Sequence, residues 1–298
     1  MLFAEHLKTL AEISHHPSNM QRRSGALLDY LRWNFGHRIM DAEYVLPLVE
    51  GARLILSNRQ NFATLVYTCG LWDFAEQAFL LHLLRPGDTF IDVGSNVGGY
   101  TVLASAVAGA RSIAFEPVPE TYAELQRNLR LNNIEPLVQS HCCALGEASG
   151  VERMTSQRGG LNHIVSDATA LDTIEVSIDR LDLVLAGTSC CLIKMDAEGF
   201  ELSILRGAPE TLMRPELQAL IIELNGSGGR YAVSDDDVHR EITGFGFEPC
   251  GYDAETRVLT ALDGCNRVGM NTIYIRDRPA VAERVATARR FDLRGRLF

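Results

Sequence analysis

Phe90-Ile91-Asp92-Val93-Gly94-Ser95-Asn96-Val97-Gly98-Gly99-Tyr100 is the stretch on which the fold turns. An apolar run passes into a glycine-rich turn that opens a helix. In an open α/β sheet, ligands sit at such turns, beyond the carboxyl ends of the strands. Gly94 permits a tight turn and close approach of a ligand to the backbone, and Gly98 or Gly99 lets the helix pack closely on the sheet. The pattern repeats downstream. Strand-like runs at 89–93, 112–115, 137–143, 190–195, 219–224, 247–252 or 257–262, and 272–275 alternate with helical patterns at 99–107, 120–132, 200–212 and 235–244. This alternation predicts an α/β, Rossmann-like fold with a seven-stranded, mostly parallel sheet covered on both faces. The last two runs lie too close together for a crossover helix and predict an antiparallel edge.

Around this region the chain divides into three. Residues 1–50 carry apolar residues at helical spacing (Leu2, Phe3, Leu7, Leu10, then Leu27, Leu28, Leu31, Trp33) with a break at Pro17-Ser18-Asn19. They predict a helical cap serving as a lid or a dimerisation element. Residues 51–277 form the main domain. It begins with β-rich runs at 52–57 and 62–68, joined by Asn58-Arg59-Gln60-Asn61, which predict a hairpin over 52–68. Residues 278–298 are a basic tail, with Arg284, Arg289, Arg290, Arg294 and Arg296 against Glu283 and Asp292. A solvated helix is the plain expectation for the tail, and packing on a second copy in a homodimer is the alternative.

With 38 acidic and 28 basic residues the formal charge is −10, which argues against nucleic acid as a partner, since phosphate affinity comes from clustered Lys and Arg. No apolar run nears the ~20 residues of a membrane span, so no membrane partner is expected. The first ten residues, with Glu5, His6 and Lys8, lack the order of a secretory signal. The cysteines, including the pairs Cys142-Cys143 and Cys190-Cys191, form no C-x-x-C spacing. Buried free thiols in a reducing, cytoplasmic setting are expected.

Two nucleotide-type ligands compete for the glycine loop. A dinucleotide fingerprint needs G-x-G-x-x-G, so that bare N–H groups face a pyrophosphate; here the spacing is Gly94-x-x-x-Gly98-Gly99, preceded by Asp92. A carboxylate beside a pyrophosphate is repulsive, at about 4 kcal/mol for unit charges 4 Å apart in an intermediate dielectric. The same carboxylate suits S-adenosylmethionine, which carries a sulfonium and an ammonium and no phosphate. Glu116, at the end of the next strand, is placed to accept hydrogen bonds from ribose hydroxyls. An NAD-type oxidoreductase is the disfavoured rival, and a non-catalytic cofactor-binding module is a second.

With these residues in place, the chain resembles the FkbM family of class I S-adenosylmethionine-dependent methyltransferases. The matching elements are residues 87–98, Phe115-Glu116-Pro117, Asn128 and Asn132, Val176-Ser177-Ile178-Asp179, Ile193-Lys194-Met195-Asp196-Ala197-Glu198-Gly199-Phe200-Glu201, Leu205 with Gly207-Ala208, and Ile222-Glu223. Ser95 replaces the family's usual alanine. The resemblance implies O-methylation of a sugar or natural-product scaffold. It also implies that Asp92, Gly94, Ser95, Asn96 and Gly98 line the methionine and ribose end of the cofactor, with Glu116 and Pro117 at the ribose. Cys143 and Ala144 would lie against adenine, and Asp196 would reach the cofactor from the fourth strand.

Lys194, Asp196 and Glu198 alternate, so a strand persisting to Glu198 would point all three to one side. A hydroxyl acceptor loses a proton and calls for a base. The candidates are Asp196, Glu198, Glu223 and His163, the last in the glycine-bearing insertion Arg158-Gly159-Gly160-Leu161-Asn162-His163. Asp196 with Glu223 is also a weak candidate for holding a divalent metal. After Glu223, Asn225-Gly226-Ser227-Gly228-Gly229-Arg230-Tyr231 is placed to contact the acceptor. N-methylation of a small amine, which needs no strong base, stays open.

Overall fold

Apolar residues on both sides of Phe90 to Val93, broken only by Asp92, require cover on both faces and place this strand in the interior of a sheet. The computed structural model describes residues 2–39, 42–56, 62–156, 161–165 and 172–298. Helices α1 (Leu2–His15) and α2 (Arg23–Ile39) flank a turn at Pro17–Asn19. The hairpin β1 (Tyr44–Pro47) and β2 (Arg53–Leu56) and the helices α3 (Ala63–Cys69) and α4 (Phe74–Leu83) follow. The alternation then sets in with β3 (Thr89–Val93), α5 (Gly99–Val102), β4 (Arg111–Phe115), α6 (Pro119–Leu131) and β5 (Val138–His141). Strands β6 (Ala144–Leu145), β7 (Gly150–Thr155) and β8 (Thr173–Asp179) make a small separate sheet. The chain returns through α7 (Leu181–Leu185), β9 (Leu192–Met195), α8 (Glu201–Arg206), α9 (Pro209–Leu212), β10 (Ala219–Glu223), α10 (Asp235–Gly244), β11 (Glu248–Asp253), β12 (Val258–Ala261) and β13 (Asn271–Ile275). It ends in α11 (Arg278–Ala286) and the short pair β14 (Asp292–Leu293) and β15 (Arg296–Leu297).

The main sheet has the order β12-β11-β13-β10-β9-β3-β4-β5. It is parallel from β5 to β10, and β13 runs antiparallel to both β10 and β11. Eight strands stand where seven were expected because both alternatives for the penultimate run are strands, paired antiparallel with each other. The chain leaves β3 toward β4 on one side and later returns as β9 on the other. The resulting switch point opens a crevice at the strand ends. One face buries Phe90, Leu192 and Ile221 with α4 and α5; the other buries Ile91, Ile193 and Leu220 with α7 to α10.

Several expectations are corrected. The partner of β2 is β1, upstream, joined through Glu50 and Gly51, which both take the positive φ that such tight turns require. Residues 62–68 are not its partner, and the proposed turn Asn58-Arg59-Gln60-Asn61 lies outside the described residues. β-branched Thr64, Val66 and Thr68 suggested a strand. Ala63, Val66 and Cys69 instead recur three apart and bury a helical stripe. The tail is not a solvated helix either: Phe291, Leu293 and Phe298 are buried in the main core. Its arginines serve the body of the chain, Arg284 pairing with Asp88 and Arg294 donating to the carbonyls of Tyr67 and Thr68 at 2.8 and 3.0 Å. The cysteines are free thiols, but Cys142 is exposed because β5 stops at His141. Among the described residues no helix is long and apolar enough to cross a membrane.

Asn128 ties these parts together. Its Nδ2 donates to Val97 O at 2.8 Å, in the glycine loop, and its Oδ1 accepts from Ile55 N at 2.7 Å, in β2. Asn128→Ala leaves a buried donor and acceptor unpaired, at about 1–3 kcal/mol each. Chemical denaturation should show a loss of about 2–6 kcal/mol; an unchanged midpoint would contradict this bracing role.

Candidate active site

The end of β3 builds the first wall of the site. Asp92 is buried, and its carboxylate accepts from Thr101 Oγ1 at 2.5 Å; burial pushes its pKa up to about 6. The chain then turns at Gly94 (φ 74°), where an added Cβ would lie 1.8 Å from Asp196 O. Close packing of two strand ends is therefore what demands glycine there. Gly94 N and Ser95 N both donate to Phe115 O, at 3.0 and 2.9 Å, which binds the loop to β4. Asn96 takes a left-handed conformation, and its N–H donates to Glu116 Oε2 at 3.0 Å. The other oxygen of Glu116 accepts from Val118 N at 2.9 Å. Burial dominates there too and moves the Glu116 carboxyl up to about 7.

The second wall comes from β9 and β10. Lys194 is 1% exposed, with Nζ 3.2 Å from Asp196 Oδ2 and 5.6 Å from the centre of the Tyr100 ring. Burial alone would lower its pKa, but the carboxylates of Asp196, Glu223 and Asp73 outweigh it and hold the ammonium above its usual value. The strand does not persist to Glu198, as strict alternation required. It stops at Met195, and a left-handed turn at Glu198 (φ 53°) and Gly199 (φ 97°) swings the Glu198 carboxylate back. Glu201 secures that turn by accepting from Ala197 N at 2.8 Å and Gly199 N at 3.3 Å. Asp196, Glu198 and Glu223 thus converge, each offering an oxygen within 4.8 Å of the others. Burial, reinforced by Asp196, pushes Glu223 up to about 9.

Both walls open into one cavity of about 310 Å³. Of the residues singled out from sequence, Asp92, Gly94, Ser95, Asn96, Glu116, Pro117, Cys143, Ala144, Asp196, Glu198 and Glu223 line it. Two do not. Gly98 caps α5 (φ 89°), and a Cβ there would meet Leu125 Cδ1 at 2.5 Å, so its role is helix packing. His163 sits between the lining residues Asn162 and Ile164, half-buried, with Nδ1 at 3.1 Å from Leu161 O. The preceding Arg158-Gly159-Gly160 lies outside the described residues. The loop 225–231 reaches the site only indirectly: Arg230 Nη1 lies 3.5 Å from Glu198 Oε2 and donates to Glu198 O at 2.6 Å.

The cavity has a third wall that sequence reasoning missed. Trp72 and Asp73, just ahead of α4, line it with Tyr100, whose hydroxyl donates to Asp73 Oδ2 at 2.9 Å. Asn271, on β13, lines it beside Glu223, and Glu12 of α1 and Leu65 of α3 stand at its edge. Tyr100 was visible as the residue following the glycines. Asp73 carried no signal of its own.

A Rossmann-like sheet with its ligand crevice at the switch point, lined by carboxylates instead of open phosphate-binding N–H groups, defines the class as a methyltransferase fold of the α/β type. The family model for the methyltransferase FkbM domain matches residues 92–253, and the chain belongs to that family. It is 30% identical over 176 residues to Methyltransferase 1 of Beauveria bassiana, covering 50% of this chain and 70% of that protein. It is 28% identical over 193 residues to 31-O-demethyl-FK506 methyltransferase FkbM of Streptomyces tacrolimicus, covering 52% and 73%. Among solved structures it is similar to methyltransferase FkbM from Methylobacillus flagellatus, with a TM-score of 0.46 and 17% identity over 71% of this chain and 52% of that one.

Proposed function

We propose that the chain transfers a methyl group from S-adenosylmethionine to a hydroxyl of a small, oxygen-rich acceptor, a sugar or a natural-product scaffold. The observation that carries this reading is the opening of the Asp92–Gly94–Glu116 wall and the Asp196–Glu198–Glu223 cluster into a single cavity. S-adenosylmethionine supplies an electrophilic methyl group on a cationic sulfur. Glu116 would hold its ribose, Asp92 and the Gly94-Ser95 backbone its methionine end, and Val118, Cys143, Ala144 and Leu145 its adenine. The fit is one of charge as well as shape. Among the described residues, seven carboxyl side chains, Glu12, Asp73, Asp92, Glu116, Asp196, Glu198 and Glu223, line the cavity against one ammonium, that of Lys194. A pyrophosphate would face these groups, which disfavours an NAD-type ligand.

Asp196 is the base in this reading. Its side chain is 41% exposed, open to an acceptor, while Lys194 holds it in position. An amine acceptor would need no such carboxylate, and the names of two relatives, for 31-O-demethyl-FK506 and for a hexuronic acid, suit an oxygen-rich acceptor. Alignment and exclusion of water do the rest of the work. Glu12 is the residue through which the cap, beside Leu65 and Trp72, would shape acceptor choice. Asp196→Asn is expected to lower kcat by about 10²–10⁴-fold, a larger loss than the weakening of S-adenosylmethionine binding. The check is S-adenosylhomocysteine release over a panel of hydroxylated and amino acceptors, with calorimetry for binding. Undiminished turnover in the variant would remove Asp196 from this role, and turnover of amines alone would overturn the hydroxyl assignment.

A further inference from the structure

We propose that Asp196, Glu198, Glu223 and Asn271 form a binding site for a hard divalent cation, Mg²⁺ or Mn²⁺, in the acceptor half of the cavity. The use of such a cation in catalysis rests on the methyl-transfer reading; its binding does not. Strand register builds the site. Ile222 pairs with Met195, so the next step along β10 brings Glu223 beside Asp196, and Glu223 is the direct cross-strand partner of Asn271. Direct partners project to the same face. The left-handed turn adds Glu198. The three carboxylate oxygens within 4.8 Å of one another match the spread of donors around an ion bound at roughly 2.1–2.5 Å.

Asn271 is the independent pointer to a ligand. It is only 5% exposed, it lines the cavity, and its Oδ1 has no hydrogen-bond partner. Oε2 of Glu223 is a second buried oxygen in the same condition. Buried acceptors without partners are costly, and a cation between them satisfies both. Charge agrees with this placement. Among the described residues, Lys194 pairs with Asp196 and Arg230 with Glu198, whereas Glu223 hydrogen-bonds with Asp196 and has no cation within ion-pair distance. An all-oxygen donor set selects a hard ion over zinc or copper. Held there, the ion would act as a Lewis acid on the acceptor hydroxyl, with Asp196 still beside it.

The test titrates Mn²⁺ into the full chain, followed by loss of the free-ion electron paramagnetic resonance signal, with and without S-adenosylhomocysteine. One saturable site per chain is expected, competed by Mg²⁺ and weakened at least about tenfold by Glu223→Gln and by Asn271→Ala, with S-adenosylhomocysteine affinity retained. Asn271→Ala removes a neutral group and keeps the test open if Glu223→Gln fails to fold. Absence of saturable binding, or binding indifferent to both variants, overturns the site. Binding of Mn²⁺ by a chain that transfers no methyl group leaves the site standing and counts against the methyl-transfer reading alone.

Discussion

Gly94→Ala is expected to destabilise the chain by roughly 3–5 kcal/mol and to abolish S-adenosylmethionine binding. Two independent penalties meet at this position. The left-handed φ of 74° costs any L-residue about 1–2 kcal/mol. The added methyl would also lie 1.8 Å from the backbone oxygen of Asp196. No rotamer relieves that overlap, because the obstacle is main chain. Relief requires β3 and β9 to separate at their carboxyl ends, where Gly94 and Ser95 hang from Phe115 O and Asp196 N bonds Val93 O at 3.0 Å. A domain is stable by only about 5–15 kcal/mol, so the variant should unfold at markedly lower urea. Gly98→Ala is the comparison. Its clash, at 2.5 Å, is with the end of the Leu125 side chain, which can move, so the smaller loss should fall on stability. Equal urea midpoints for Gly94→Ala and the parent chain would sink the close-packing account.

The contrast between these glycines also shows what sequence makes legible. Asp92, Gly94 and Glu116 are placed by local strand–turn–helix geometry, and a pattern that repeats locally can be read without tertiary knowledge. The same holds for the mostly parallel character of the sheet, which follows from the alternation of strands and helices. Residues 62–68 failed because local β propensity gave way to burial of Ala63, Val66 and Cys69, a tertiary preference that outweighs propensities of a few tenths of a kcal/mol. In the tail, six arginines concealed Phe291, Leu293 and Phe298, which supply the anchoring. Glu198 was assigned to the site through a strand that does not reach it; a left-handed turn achieved the same end. Asp73 and Tyr100, 27 residues apart, meet only because α4 and α5 pack on one face of the sheet. Asn271 joins Glu223 through an antiparallel register that no local motif encodes.

Glu116→Ala is expected to weaken S-adenosylmethionine binding by roughly 10²–10⁴-fold, since two charge-assisted hydrogen bonds of about 1.5–3 kcal/mol each would go. The side chain also pins Asn96 N and Val118 N, so the loop loses its fixed shape with the charge. Glu116→Gln keeps one acceptor but turns an amide N–H₂ toward the other backbone N–H, and should recover only part of the loss. The pH dependence has a definite sign. Burial, ahead of every other cause, raises Glu116 to about 7 and Asp92 to about 6. Between the ordinary carboxyl range and those values, the folded, unliganded chain binds more protons than the unfolded chain, so its stability falls as pH rises. A cationic ligand favours the ionised carboxylates and opposes that fall. The melting temperature of the unliganded protein should therefore drop from about pH 5 to about pH 8, while the increment from S-adenosylmethionine grows. In Glu116→Ala the growth should shrink to what Asp92 supplies, at lower pH. A ligand increment that is flat across this range, or calorimetry giving Glu116→Ala the parent affinity, would remove Glu116 from the cofactor site.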